Sequence, residues 1–497
     1  MKAPWYVRLL TAMFLLLCSV SISAAEFHVR PDGDAAGNGS QTHPWNLAEA
    51  LQEPPEVKPG DTLWLHEGTY RGGFVSRLQG TLANPINVRP VPGHRVVVDT
   101  NPRDERDNGL LLLAGSDTIF RDFEVNCSHL KRDTSIAGSW PSDVRRGSVD
   151  IRGDRIAAIN LVVHDQASGF GFWSEGEGGE IYGCLIYNNG WQGPDRAHGH
   201  GIYVQNARGV KRIADNVVFH QFVYGIHAYG SDKASLKGLQ IEGNIAFDNG
   251  CIARGNDRSP GIMVGGGSPA RQITVRDNVV VGGTIRLGYS WGAVNEDAEV
   301  FGNYCDGGLV VRDFHHARIR KNTIVASSTV VQLEGAAKLL KEGLEWDSNE
   351  YYVTDGRWGE CAVVEGAKRQ GLSFAQWQKQ TGLDAESKLT KGPPTKLRVI
   401  VRPNVYEAGR ANVCIINPQG HAEVEVDLSG VLKPQQKFRV VSAKDVFGPP
   451  VVKGTYEGHV VRVPLTTVKP PAPIGVANAE LPTLEPYFGA FIVLPER

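Results

Sequence analysis

The sequence predicts an all-β chain, a parallel β-helix followed by a small β-sandwich, and three observations carry that prediction. A short unit recurs: glycine, an aliphatic residue, a large polar or aromatic residue, a small aliphatic residue, then a turn. It appears as Gly201-Ile202-Tyr203-Val204 and again as Gly225-Ile226-His227-Ala228, with kindred runs at Val149–Ile151, Phe170–Phe172, Ile262–Val264, Ile285–Leu287 and Leu309–Val311. A second run keeps step with it, opened by a polar or small residue at Asp122, Asn160, Cys184, Asn216, Asn244, Asn278, Asn303, Asn322 and Asn349. The runs are too short and too closely set for intervening helices. A fixed register with loops of variable length means one supersecondary unit per repeat, stacked into a solenoid. The recurrent asparagine suits a stacked turn, where amides on successive coils bond to one another.

Size and composition agree. A chain of 497 residues is large for one globular core, whereas a solenoid grows in one dimension, and 58 glycines suit many tight turns. With 52 basic against 54 acidic residues no polybasic nucleic-acid surface is indicated. A local basic strip able to meet an acidic polymer needs no net charge.

Residues 1–25 read as a secretion signal, and the expected location is secreted or periplasmic. Lys2 and Arg8 precede the apolar run Leu9–Val20, and Ser23-Ala24-Ala25 supplies small residues for cleavage. The run is short for a membrane anchor, so no membrane association is expected once the signal is removed. Six cysteines follow, at 127, 184, 251, 305, 361 and 414, without the spacing of a metal motif. Disulfides are permitted outside the cytoplasm but the sequence does not require them.

The β-helix is expected over residues 26–395, opened by a capping segment. Phe27–Asp34 is a strand, and Leu47–Leu51 is a short amphipathic helix able to cover the open end of the stack. The runs Lys58–Tyr70 (KPGDTLWLHEGTY) and Asn84–Pro90 (NPINVRP) follow. At the far end Ser373 and Gln376 have capping-box spacing ahead of an amphipathic run, which predicts a helix. Lys391–Thr395 is a linker. Residues 396–497 then alternate like antiparallel strands at Leu397–Arg402, Ala411–Asn417, Ala422–Leu428, Lys437–Ser442, His459–Val463 and Phe488–Leu494, a β-sandwich that packs against the solenoid.

The opening strand with its Pro31-Asp32-Gly33, the short helix, KPGDTLWLHEGTY and NPINVRP together resemble the N-terminal portion of the pectate-lyase-like right-handed β-helix superfamily. The style is that of the chondroitinase B and alginate lyase branch, over roughly residues 26–330. The resemblance implies a right-handed coil and, through its lyase, hydrolase and epimerase members, a polysaccharide substrate. In chondroitinase B and its alginate-lyase relatives a lysine and an arginine lead, with calcium sometimes assisting. No matching Lys-x-Arg pattern aligns here. No cofactor is identified, and calcium is the one the resemblance leaves open; Asp32, Asp34 and Asn38 read as a turn at the helix cap.

Alternation places Asp150, Gly171, Tyr203, His227, Met263, Arg286 and Val310 in one outward row, flanked by Trp173, Gln205, Tyr229 and Arg312. Loops at 129–147, 188–200, 230–238 and 251–260 would wall it with His129, Arg145, Trp191, His198, Lys233 and Arg258, and His200 lies beside His198. Such a strip suits an acidic sugar chain. Cleaving a uronic-acid polymer by β-elimination needs a cation on the carboxylate, for which Arg286 or Lys233 qualifies. It needs a base, for which His227 titrates in the useful range, and an acid for the leaving oxygen, for which Tyr203 is placed. Each residue also has a plain structural reading. His227 can stack on Tyr203, His198 and His200 can satisfy loop carbonyls, and Arg286 can pair with Asp257 or Asp277. Trp173 and Trp191 can be sugar platforms or wedges under a loop. A glycoside hydrolase needs paired carboxylates, and the row offers only Asp150, with Asp165, Glu175, Glu177 and Asp195 in turns and loops. An epimerase, or a carbohydrate-binding solenoid without chemistry, fits the same fold.

Overall fold

The computed structural model describes residues 24–102, 108–144, 146–255, 260–290, 293–340, 343–476 and 481–496. The expected signal, residues 1–25, falls almost wholly outside this set.

Three long parallel sheets wrap one tube. A typical coil runs through Glu180–Tyr182 in the first sheet, Leu185–Tyr187 in the second and Ile202–Val204 in the third, then rises to Lys211–Ala214 of the next coil. The first sheet runs from Glu26–Asp34 to Glu345–Asp347, the second from Gly68–Arg71 to Lys388–Lys391, and the third from Phe74–Ser76 to Cys361–Glu365, to which Lys368–Leu372 adds one antiparallel strand. Inward residues stack like on like: Ile202, Ile226, Ile262 and Ile285 are register partners and each is 0% exposed. Each such side chain contributes on the order of 1.5–3 kcal/mol of burial, repeated coil after coil.

Between the first and second sheets runs a buried asparagine ladder. Asn216 donates through Nδ2 to Oδ1 of Asn244 at 2.9 Å, Asn244 to Asn278 at 3.0 Å, Asn278 to Asn303 at 2.9 Å, Asn303 to Asn322 at 2.9 Å and Asn322 to Asn349 at 3.0 Å. The residue before each rung is left-handed, as with Asp215 at φ 53° and Asp277 at φ 54°. Where that residue is Gly243, a Cβ would meet Asp215 Oδ1 at 2.2 Å, so glycine fits there without displacing that side chain. Cys184 occupies the preceding rung, its N–H donating to Asn216 Oδ1 at 2.9 Å. Asp122 and Asn160 do not belong to the ladder as the sequence suggested. They sit one residue earlier, at the left-handed position with φ 66° and 55°, while Phe123 and Leu161 take the buried place. The last rung, Asn349, ends on Ser387 Oγ at 2.8 Å and on Asp384.

Both ends are closed. Asn46 caps the short helix Leu47–Ala50 at the start, and Trp45, Leu47 and Leu51 enter the tube's core. At the far end the capping box of Ser373 and Gln376 is formed, and helix Phe374–Thr381 drives Trp377 into the core, where its indole N–H donates to Asp384 at 2.8 Å. Asp34 and Asn38 make local turns, accepting from Ala36 and Ser40 N–H at 3.0 Å each. None of Cys127, Cys184, Cys251, Cys305, Cys361 and Cys414 is in a disulfide.

Beyond the tube lie two antiparallel sheets. Five strands are ordered Arg398–Pro403, Ala411–Ile416, Phe488–Pro495, Lys437–Ser442, Val452–Thr455, and two more are Glu423–Val426 and Val461–Pro464. All six strands expected from sequence are present; Val452–Thr455 was not foreseen. One face of the five-stranded sheet shares a core with the two-stranded one, through Val413, Phe438 and Val493 against Val424 and Val463. The other face lays Cys414, Ile416, Phe488 and Ile492 on the outside of the tube's second sheet, over Tyr187, Phe219 and Phe247. At the rim of that contact His164 is held between Asp165 at 2.8 Å and Glu124 at 3.1 Å, and Ile474 N–H donates to Asp165 at 2.8 Å.

The three outer faces therefore differ. The second is covered. The first is a lattice of ion pairs in which Arg212 bridges Glu180 and Glu242, and Arg276 continues from Glu242. The third carries the aromatic and imidazole row.

Candidate active site

Register makes the row continuous. Asp150, Gly171, Tyr203, His227, Met263, Arg286, Val310 and Gln332 are successive partners across the third sheet. Their neighbours in sequence, Ile226 and Ala228 among them, face the core, so this row faces out. Arg286 stands two strands from His227, about 10 Å along the sheet.

The same repeat fixes a second pair of places. His200 and Tyr224 each precede the glycine of their unit, and their rings stack at 5.2 Å with planes 4° apart. Together they collar His227, whose ring lies 4.5 Å from His200, 5.3 Å from Tyr203, 4.6 Å from Tyr224 and 5.3 Å from Tyr229. His227 is thus only 7% exposed although it faces outward. Burial, with His200 beside it, holds its pKa well below the usual histidine range, and burial pushes His200 down to about 3.

Both imidazoles are therefore neutral at neutral pH, and a backbone amide fixes their polarity. Tyr224 N–H donates to His200 Nδ1 at 3.3 Å, which leaves the proton of neutral His200 on Nε2. That proton points at His227 Nδ1, 3.1 Å away, so neutral His227 carries its own proton on Nε2. Nε2 has no hydrogen-bond partner among the described residues. The resting arrangement thus presents an N–H, not the lone pair a base requires.

Burial raises the Tyr203 phenol, partly offset by a hydrogen bond from Gln205, so it stays protonated. Trp173 tilts against Tyr203 at 5.5 Å and lies across Gly171, where a Cβ would come within 2.5 Å of its Nε1. Buried Lys211, pushed down to about 7 by desolvation, donates to the carbonyls of Trp173 and Gln205 and pins both. Tyr229 extends the aromatic floor to Tyr289 at 5.9 Å.

Among the described residues Arg286 does not pair with Asp277, and Asp257 lies outside them. Arg286 reaches Glu334 at 3.4 Å, a carboxylate 2% exposed that also binds Arg312 and accepts from Gln332 at 2.6 Å. Desolvation lowers the Arg286 pKa against the pull of Glu334. Two guanidiniums on one carboxylate leave a net positive end to the strip.

Several expected residues stand elsewhere. Trp191 and His198 face each other at 3.9 Å with planes 4° apart on the ribbon Trp191–Gln192/Ala197–His198, both buried. Trp191 is a wedge rather than a sugar platform. His198 is lowered by burial and by Arg196, and its Nε2 lies 3.4 Å from Asp195. Lys233 is exposed on the Ser231–Ala234 turn, and among the described residues no ion pair joins it to the strip. The Nδ1 of His129 accepts from Lys131 N–H within its own loop. Arg145 and Arg258 lie outside the described residues. Tyr224, Tyr289 and Glu334 were not singled out from sequence; Tyr224 was legible, since it repeats the place of His200.

At the N-terminal end of the row burial raises the Asp150 carboxyl, with Arg152 3.9 Å away and Glu175 on the other side of that guanidinium at 2.8 Å. Among the described residues no group of three His, Cys, Asp or Glu is arranged to hold a metal ion.

A family model described as a right handed beta helix region matches residues 125–324. No curated protein matches the chain. Among solved structures a GH136 lacto-N-biosidase from Eubacterium ramulus is similar at 15% identity, over 74% of this chain and 67% of its own, with TM-score 0.41. Pectate lyase Pel9A is similar at 14% identity over 76% and 84%, TM-score 0.38. A rhamnogalacturonan lyase is similar at 13% identity over 75% and 90%, TM-score 0.44.

Proposed function

We propose that the protein is a secreted, polysaccharide-active enzyme that cleaves an acidic polysaccharide by β-elimination on the outer face of the third sheet. The observation that carries this reading is the single row holding Tyr203, His227 and Arg286, on the one outer face that is neither covered nor filled with ion pairs. Arg286 and Arg312 bind the uronate carboxylate and make the neighbouring C–H acidic. Tyr203, held as a neutral phenol, protonates the leaving glycosidic oxygen as the C–O bond breaks and the ring double bond forms. His227 removes the carbon-bound proton at Nε2 once its pair with His200 inverts: the bridging proton passes to His227 Nδ1, the proton on His227 Nε2 is released to solvent, and His200 takes a proton at Nδ1, which breaks the Tyr224–His200 bond.

The test is a panel of uronic-acid and neutral glycans, read for ultraviolet absorbance of an unsaturated uronate and for new reducing ends. Absorbing product supports the reading. Reducing ends without absorbance overturn it in favour of a glycoside hydrolase, which the raised Asp150 carboxyl facing Glu175 across Arg152 would serve.

A further inference from the structure

We propose a distal glycan subsite, resting on the polysaccharide reading above, at the corner between the second and third sheets near the C-terminal end of the tube. An open depression of about 540 Å³ lies there, lined by Asp306, Ser327, Ser328, Thr329, Trp358 and Arg369. Trp358 is 72% exposed, an unfavourable setting for a large apolar ring that covers nothing.

Its loop is nonetheless tied down. Trp358 N–H donates to Ser328 Oγ at 3.2 Å, and Arg369 donates to the Trp358 carbonyl at 2.9 Å and to Thr329 Oγ1 at 2.7 Å. An indole on a loop held by its backbone, beside serine and threonine hydroxyls and a carboxylate, matches a pyranose ring, with an apolar C–H face and a rim of hydroxyls. Because Nη1 and Nη2 of Arg369 already serve the loop, the pocket favours hydroxyl recognition over carboxylate capture.

The depression is continuous with the catalytic row. Arg369 Nε reaches Gln332 at 3.5 Å, and Gln332 is the row member that bonds Glu334, the partner of Arg286. Gln332 lies four strand steps from His227, about 19 Å. One polysaccharide chain laid along the tube can therefore meet His227 and Trp358 together.

The experiment is affinity electrophoresis of the full chain through gels containing polygalacturonate, alginate or xylan, comparing wild type, Trp358→Ala and the loop control Arg357→Ala. Wild type is retarded by at least one polymer, Trp358→Ala weakens that binding about tenfold, and Arg357→Ala binds as wild type. Equal retardation of wild type and Trp358→Ala overturns the subsite, and the cleavage assay then judges the enzyme reading separately. Retention lost in Trp358→Ala while no glycan is cleaved upholds the subsite and sinks the lyase. No retardation of wild type by any polymer overturns the subsite.

Discussion

His227 Nδ1 and His200 Nε2 lie 3.1 Å apart, and the backbone N–H of Tyr224 decides which of them donates. The chain Tyr224 to His200 to His227 ends in an Nε2–H on His227. Nitrogen-15 NMR of histidine-labelled protein at neutral pH is expected to show both rings neutral and both protonated on Nε2. A His227 signal protonated on Nδ1 would mean the pair rests in its inverted, base-competent form.

Stability against pH follows from the buried imidazoles. His200 and His220 are both pushed down to about 3 by burial, and neither nitrogen of His220 has a hydrogen-bond partner among the described residues. A depressed folded pKa means the unfolded chain binds more protons below about 6.5, so stability falls as pH drops from about 6.5 toward about 3. His164 runs the other way: burial disfavours its charge, but Asp165 and Glu124 raise it to about 9. Its contribution is full below about 6.5 and lost as pH rises through about 9. Lys211, pushed down to about 7, adds stability as pH rises from about 7 toward about 10.4. In urea melts across pH the loss due to His164 is therefore read as the difference between wild type and His164→Gln, confined to about pH 6.5–9.

Arg286 and Glu334 separate chemistry from stability. Arg286→Ala is expected to lower turnover of an acidic polysaccharide by about a hundredfold with little change in melting, because Arg312 and Gln332 still hold Glu334. Glu334→Ala leaves two partly buried guanidiniums facing each other and should cost about 3 kcal/mol, read by urea denaturation.

Asn278 is bonded on both sides of the ladder and also to the Ile241 carbonyl at 2.9 Å. Asn278→Ala strands buried polar groups on the coils above and below, and about 2–3 kcal/mol of stability should be lost. Asn349→Ala at the ladder's end removes bonds to Asn322 on one side and to buried Asp384 on the other and should cost a similar amount.

Phe219 lies between Tyr187 and Phe247 at 5.1 and 4.7 Å, in a stack that Phe247 extends to Phe488 at 5.2 Å. Phe219→Ala should cost about 3–5 kcal/mol and loosen the C-terminal sheets, seen as faster proteolysis within residues 391–397.

Tyr203, His227 and Arg286 were legible because a period of two and a constant repeat leave no freedom about which side chains share a row. The same logic misplaced Asp122 and Asn160, since asparagine and aspartate suit both a ladder rung and the left-handed residue before it. Glu334 escaped notice because it meets Arg286 across one intervening strand, through side chains long enough to skip Val310. The burial of Trp191 depends on a two-strand ribbon whose partner, His198, is set by loop geometry rather than by periodicity. Trp358 carries no periodic signal, being a lone aromatic in a turn.

The closed ends have a bearing on how this groove can change length. With Asp384 and Trp377 sealing one mouth and the Leu47–Ala50 turn the other, growth by adding coils outside is barred, and duplication within the stack is the open route. Every inserted coil would bring its own rung and displace Arg286 or Trp358 from His227 by one strand spacing. The reach of the protein along its polymer is therefore adjustable only in whole increments.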